Sequence, residues 1–476
     1  MTARSRPNRR SRGAFVLGAI AAVLALSAGL GPARAGGIAP CYDPFVFSGS
    51  PVNVFTVEYE SPQNDRPIRP GETRENRDLK KTAQQLTWLI KLDAFLTTRF
   101  GGLAVVTALD EGPPGACRPE TLLGRLMGMR GVRGPQPGQA LLFLYGRIYQ
   151  EGQEIFLQSY LQRVRLASGE LAPLPERLSV ALKSDQGEAI DVSAAVPGDV
   201  VVFPPRRLLV PDLGHITELF SVSGRIYKDK DSTSPSRPWR FDPSQPTAFA
   251  VEAVDPSGWI RIQPYLAIDD IQPGWIRVDP EAGKLLHQRM PELDFMRGEI
   301  GYVRLRQTYD APQFKSDTSR AALTAAMKEA FGRYGANARE NDREAPARSA
   351  ALAMVGAASA VQAEGGAIEP WQEARNRFLD ASRADPSNVG ARNLLALAEV
   401  ALCCGGPRQA EQPAAALNAL LDVLAVRPND RDALANLDDF YRYAQGRAGS
   451  GGLALSSEDL RAKRDQVKDI RRLLGQ

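Results

Sequence analysis

Val52, Val54, Thr56 and Glu58 alternate with Asn53, Phe55, Val57 and Tyr59, the period-two pattern of a strand rich in branched and aromatic residues. A polar stretch with Pro62, Pro67, Pro70 and Gly71 follows, and then the period changes. Leu79, Ala83, Leu86 and Ile90 recur at steps of four, three and four, with Leu89, Leu92, Leu96 and Phe100 widening the same face. This spacing predicts an amphipathic helix over residues 75–99, ended by Gly101-Gly102. A short apolar run, Leu103 to Leu109, predicts a second strand, and Pro119 opens a shorter helix carrying Leu122, Leu123 and Leu126. Ala140 to Tyr149 and Glu154 to Leu166 flank Glu151-Gly152 and predict a hairpin, with Phe156, Tyr160, Val164 and Leu166 on one side of the return strand. The order of elements predicts an α/β amino-terminal domain over 42–172.

Pro173, Pro175, Pro197, Pro204, Pro205 and Pro211 then punctuate short β-like runs, among them Leu178 to Leu182 and Asp199 to Phe203. Proline at this density predicts β or irregular structure without long helices across 173–315, with a β-rich connector at 173–223. From residue 316 onward Ala, Leu, Arg and Glu dominate and the spacing becomes helical. Asp385-Pro386-Ser387-Asn388 and Arg427-Pro428-Asn429-Asp430 mark two hairpin ends 42 residues apart. Three helix hairpins are expected, at 345–384, 388–426 and 430–474, the last containing a glycine-rich loop at 446–452.

Composition changes this picture through its location. Arg4, Arg6, Arg9, Arg10 and Arg12 precede an apolar run from Ala14 to Leu30, and Ala33-Arg34-Ala35 supplies an A-x-A site. Residues 1–35 therefore read as a cleavable secretory signal, with Gly36 as the mature start. An uncleaved anchor is the competing reading, but an apolar run of about 17 residues is at the short limit for a span. Six of the 59 basic residues and none of the 55 acidic ones lie in this segment, leaving a mature chain of formal charge −2. A basic face for nucleic acid is not expected. No second long apolar run predicts a membrane span, and a periplasmic location follows. Exported chains form disulfides. A Cys41–Cys117 bridge is expected around the first domain, while Cys403-Cys404 read as two buried thiols in preference to a vicinal bridge.

Three stretches resemble known families. Leu141 to Glu170 places Gly146 in the first strand, Gly152 in the turn and Gly169-Glu170 at the end. In this it resembles the end of the TolB amino-terminal-like and CsgG-like domains. The resemblance implies a small α/β domain of bacterial envelope assemblies that contacts protein. The lipidated Cys and membrane hairpins of the pore-forming members are missing. GRIYKDKDSTSPSRPW, FAVEAVDPSGWIRI and PGWIRV, within 224–310, are similar to a bacterial Src-homology-3-like barrel, with Trp259 and Trp275 at its signature places. That resemblance implies binding to cell-wall peptide or to protein. Core packing is the competing role for both tryptophans. Ala374, Phe378, Ala381 and Pro386 reproduce the A-x3-F-x2-A-x4-P register of tetratricopeptide (TPR) repeats. Ala416, Leu420, Val423 and Pro428 repeat it more loosely. An unrelated helical bundle would give the same apolar spacing. The TPR resemblance implies that Asn393, Asp432, Asp439, Arg442 and Tyr443 face a ligand on the inner helix faces. The fold expected is multidomain: an α/β domain, a Src-homology-3-like β middle and an all-α TPR-like end over 316–476.

Candidate chemistry is sparse. His215 and His287 lack a second His or Cys at metal-ligand spacing. No H-E-x-x-H, G-x-S-x-G or phosphate loop occurs. Asp269-Asp270, and Glu218 near His215, have no catalytic context. A non-catalytic periplasmic scaffold without cofactors, working through protein partners of the envelope, is the expectation. The alternative is a peptidoglycan-associated module that recruits or regulates a cell-wall enzyme.

Overall fold

The computed structural model describes residues 51–57, 59 and 60, eight positions between 79 and 93, 105–109, and most of 138–476. Within that last range it omits 168–169, 174–175, 184–186, 198–199, 222–224, 239–248, 256, 265–272, 278–279, 312–317, 339–342, 364–366, 406–412, 448–452 and 454.

Strand β1 (Val52–Val57) lies between β2 (Val105–Leu109) and β3 (Ala140–Glu151), parallel to both. All six residues of β1 are buried, as befits a strand covered on two faces. The long strand β4 (Glu154–Ala167) returns antiparallel to β3 in unbroken register from Glu151↔Glu154 to Ala140↔Arg165. Along the far edge of β4 lie β5 (Glu170–Pro173), β8 (Val200–Val202) and β9 (Arg206–Leu208). The connector read from the sequence thus supplies the last strands of the first sheet. Leu142, Leu144 and Ile148 of β3 and Leu157 and Leu161 of β4 point into the core, joined there by Leu79, Ala83, Leu86 and Ile90 of the amino-terminal helix.

Gly146 shows how closely this sheet is covered. A Cβ there would come within 2.2 Å of the Tyr59 ring and 2.3 Å of the Gln158 carbonyl oxygen. The buried Tyr59 ring occupies the space that any side chain on that residue would need.

Two further strands, β6 (Arg177–Lys183) and β7 (Ala189–Ala195), form a separate antiparallel hairpin. β10 (Arg225–Tyr227), β11 (Ser236–Pro238), β12 (Phe249–Val254), β13 (Trp259–Pro264) and β14 (Gly274–Arg277) make a second antiparallel sheet, in the order β11-β10-β14-β13-β12. Ile226 and Ile276 join it to the main core.

Helix α1 (Val210–Ser221) separates the two larger sheets in sequence, and α2 (Pro280–Arg289) leads into α3 (Glu292–Asp310). Seven more helices follow: α4 (Arg320–Asn337), α5 (Ala345–Val361), α6 (Ile368–Ala384), α7 (Val389–Cys404), α8 (Pro413–Val426), α9 (Arg431–Gln445) and α10 (Ser457–Leu473). They pack as consecutive hairpins, α3 with α4, α5 with α6, α7 with α8 and α9 with α10. The last three coincide with the expected ranges. Side-chain caps start α7, α9 and α10: Asn388 Oδ1 accepts from Ala391 N–H and Asp430 Oδ1 from Ala433 N–H, while Ser456 and Asp459 form a capping box. Ala374, Phe378 and Ala381 are fully buried, as are Ala416, Leu420 and Val423 one hairpin later.

Two expectations are corrected. Long helices do occur between 173 and 315, because α3 spans 19 residues. Its prolines do not break helices. Pro280 opens α2 and Pro291 is the N-cap of α3, positions where the missing N–H has no intrahelical partner to lose. The helical part therefore begins at Pro280, ahead of the expected residue 316, and includes a fourth hairpin.

The close approach at Gly146 yields a test. Gly146→Ala is expected to cost about 1–3 kcal/mol through overpacking, read as a lower urea midpoint at unchanged slope. An unchanged midpoint would show that the Tyr59 ring is free to move aside.

Candidate interaction site on the inner face of the helix array

The inner helices α5, α7 and α9 turn toward β elements of the same chain. α5 touches β6 and β8, α7 lies under both strands of the β6–β7 hairpin, and α9 runs beside β7. The hairpin is amphipathic. Leu178, Val180 and Leu182 of β6 and Ile190, Val192 and Ala194 of β7 are buried, while Arg177, Ser179, Ala181 and Lys183 are exposed. Period-two alternation thus places one apolar face on the helices and one polar face in solvent.

α9 holds β7 chiefly by its main chain. The Asn436 side chain takes both backbone groups of Ser193: Ser193 N–H donates to Oδ1 at 3.0 Å and Nδ2 donates to the Ser193 carbonyl at 2.9 Å. Ala195 N–H donates to Asp432 Oδ2 at 3.2 Å, and Arg177 Nη2 donates to Asp432 Oδ1 at 2.9 Å. At the hairpin tip Arg442 reaches Glu188 at 3.3 Å and Asp439 at 3.2 Å. The outer edge of β7 is thus closed at Ser193 and Ala195 by side chains one helical turn apart.

Of the residues expected to face a ligand, Asp432 and Arg442 therefore hold the chain's own hairpin, and Asp439 pairs with Arg442. Asn393 is buried and donates to Asp430 Oδ1 at 2.9 Å, tying α7 to the cap of α9. Tyr443 is buried beside Phe440, with Arg447 over its ring. Asn436 and Arg177 were not singled out from sequence. Asn436 lies one turn after Asp432 on the same stripe of α9, a usable signal, whereas the place of Arg177 depends on the hairpin. A surface depression at the start of α9 is lined by Arg427, Asn429, Asp430, Arg431 and Asp432.

The two tryptophans differ. Trp259 is buried and packs edge-on against Tyr227 at 5.3 Å. Trp275 is half-buried, with the Lys230 ammonium 5.0 Å above its ring. Lys230 also pairs with Asp255, whose carboxyl this hydrogen bond, with those from Ser257, holds well below the usual range. His215 is exposed on α1. Cys41, Cys117, Asp269 and Asp270 lie outside the described residues. Cys403 and Cys404 are joined by a disulfide at the end of α7. This corrects the expectation of two thiols.

Two polar clusters are enclosed. Ser159 Oγ donates to Glu292 at 2.6 Å and accepts from the Tyr59 hydroxyl at 3.1 Å. All three residues are at most 1% exposed, and the serine proton is committed to Glu292. Burial, then the Glu292 charge, pushes the Tyr59 hydroxyl far up. Among the described residues no group of three or more His, Cys, Asp or Glu could hold a metal ion.

His287 lies in a second buried cluster, with Nε2 2.8 Å from Asp93 Oδ2 and Nδ1 2.9 Å from Asp294 Oδ1. Arg297 adjoins both carboxylates and Arg333 pairs with Asp294. Burial alone would lower the imidazole pKa. The Asp93 charge and the two hydrogen bonds outweigh burial and the opposing Arg297, so the pKa is raised.

No protein-family model, curated protein or solved structure matches the chain.

The raised His287 pKa has a definite sign. Its stabilisation is complete below the unfolded value, about 6.5, and is lost as pH rises through the folded value. Urea midpoints are expected to fall as pH rises above about 6.5 in the wild-type chain. His287→Gln, lower in stability at pH 6, should show a flatter profile over the same interval. Parallel profiles would remove His287 as the origin of the slope.

Proposed function

We propose that this chain is a non-catalytic periplasmic scaffold or adaptor that assembles proteins of the bacterial envelope. The observation that carries the reading is the grip of α9 on β7. A helix-hairpin array holds an extended strand through its backbone, by Asn436 on Ser193 and Asp432 on Ala195. An inner face built this way suits extended polypeptide. Main-chain hydrogen bonds supply affinity and alternate side chains supply selectivity.

The other supports come from sequence and from chemistry. The signal-like segment at 1–35 favours export. The A-x3-F-x2-A-x4-P register favours TPR hairpins. The run from Leu141 to Glu170 favours a TolB-like domain, with Gly146 and Gly152 in family positions. Reactive side chains such as Ser159, Glu292 and His287 are spent on internal hydrogen bonds and ion pairs, which favours a binding role over catalysis. For the β10–β14 sheet as a Src-homology-3-like wall-binding module, the buried Trp259 counts as packing, so the peptidoglycan reading rests on Trp275 alone.

The test uses the tagged mature chain from Gly36. Truncation after Tyr309 would strip the β6–β7 hairpin of α5, α7 and α9, exposing Leu178, Val180, Ile190 and Val192. In-cell crosslinking and capture should yield an envelope protein that re-forms a stoichiometric complex with the chain when both are purified. Co-sedimentation with purified sacculi should leave the chain in the supernatant. Retention on sacculi without a protein partner would replace this reading with the peptidoglycan one.

A further inference from the structure

The strand edges of this chain are guarded unequally. β8 and β9 are interrupted by Pro204-Pro205, and proline blunts an edge because it offers no N–H. β11 is three residues long and ends at Pro238. β12 has a register shift between Val251 and Ala253, a bulge that disrupts pairing. The outer edge of β7 is closed at Ser193 and Ala195 by Asn436 and Asp432. β6 carries none of these devices. Its seven residues contain no proline and pair with β7 in continuous register from Arg177↔Ala195 to Lys183↔Ala189.

The ladder fixes which groups of β6 face outward. Ser193 and Ala195 turn their backbone groups away from β6, toward α9. Their partners Ser179 and Arg177 therefore sit in non-hydrogen-bonded pairs and turn their own backbone groups away from β7. Alternation extends this to Ala181 and Lys183. Among the described residues, the outward N–H and C=O groups of Ser179, Ala181 and Lys183 have no hydrogen-bond partner. The side chains of all three are exposed, and those of Ser179 and Ala181 are small. Leu178, Val180 and Leu182 form an apolar row facing the helices, which a neighbouring strand would continue.

We propose that the open edge of β6 receives an extended segment of a partner protein, which adds as a third strand to the β6–β7 sheet. The inference deepens the scaffold reading and rests on it. Charge narrows the chemistry of the occupant. Arg177 is taken by Asp432, whereas Lys183 makes no ion pair among the described residues. A fitting segment alternates apolar residues toward the helices with polar ones toward solvent and places an acid beside Lys183. The array supplies what a two-stranded sheet alone lacks, because isolated hairpins are marginally stable at best.

The probe is a labelled peptide with the sequence of residues 188–196, EAIDVSAAV, the strand that already pairs with β6. Saturable binding to the full mature chain by fluorescence anisotropy is expected, with slower amide exchange at residues 177–183. A scrambled peptide should not bind. Ala181→Pro removes one outward N–H at a position where an edge strand tolerates proline. It is expected to weaken binding at least about tenfold, the equivalent of one lost hydrogen bond, with an unchanged Tm. Lys183→Glu, a surface change, should weaken binding through repulsion. Equal affinity of the native and scrambled peptides, or undiminished binding by both variants, would overturn the edge site. If the stoichiometric complex re-forms while the peptide fails, the edge inference falls and the scaffold reading stands.

Discussion

Helix α3 is where the parts of this fold are tied together, and its ties are buried charges. Glu299 meets Arg163 of β4 at 2.8 Å, with both side chains at most 2% exposed. Glu292 accepts from Ser159 and lies beside Arg206, which also pairs with Glu344 ahead of α5. Tyr302 donates to Glu176, which Arg306 also reaches, at the foot of the β6–β7 hairpin. Arg304 donates to Gln307, whose amide donates to the carbonyls of Pro51 and Gly138 before β1 and β3. Buried pairs of this kind add little net stability against an apolar core of equal volume, but losing one partner costs about 3–5 kcal/mol. What they impose is placement. Each charge accepts one geometry, and together they set β4, the hairpin and α5 around a single helix.

The helix array is built to be filled from inside. α5 is buried at Ala347, Ala350, Ala351, Ala353, Ala357, Ala358 and Ala360 because neighbouring helices and β strands crowd it on nearly every side. Small side chains let those neighbours approach. α7 is buried along most of its length for the same reason, with β6 and β7 on one side and α8 on another. The hairpin needs the array to cover its apolar face, and the array needs the hairpin to cover its inner one. Neither could be cut away without exposing the other's core.

What the sequence could convey follows from this arrangement. Strands β1, β3 and β4 and the hairpins α5 to α10 were legible because each has a strong local pattern: alternation, or apolar spacing with Pro386 and Pro428 as stops. α3 was not legible as a helix. It mixes polar and apolar residues all round and is buried at 14 positions, so it has no apolar stripe to betray its period. Its partners from Ser159 to Glu176 lie more than 100 residues away, beyond any local reading. The same limit hid the use of α9. The stripe of Asp432, Asp439 and Arg442 was visible as polar residues on an inner face, but not the strand that covers it. The Cys403–Cys404 bond was missed: adjacency in sequence permits both states, and two thiols were expected.

Filling also decides how this molecule can engage anything else. An empty superhelical groove binds by admitting a ligand. Here that path would require removing a hairpin that buries Leu178, Val180, Leu182, Ile190, Val192 and Ala194. At about 1.5–3 kcal/mol for each large aliphatic side chain, the cost of opening exceeds what one short peptide returns. On the scaffold reading, a partner would add to the filled face. The apolar groups left outside are consistent with additive contacts: Val200 and Val202 are about half exposed, beside Tyr160 on the sheet face turned away from the core. On that face Tyr145 stacks on Tyr160 and Tyr149 on Phe156 across β3 and β4. Cross-strand stacks of this kind stabilise a sheet from its solvent side, so a surface can stay partly apolar there without loosening the strands beneath it. The polypeptide thus presents finished β surfaces and edges, rigid because the buried charges of α3 and the backbone grip of α9 hold them from behind.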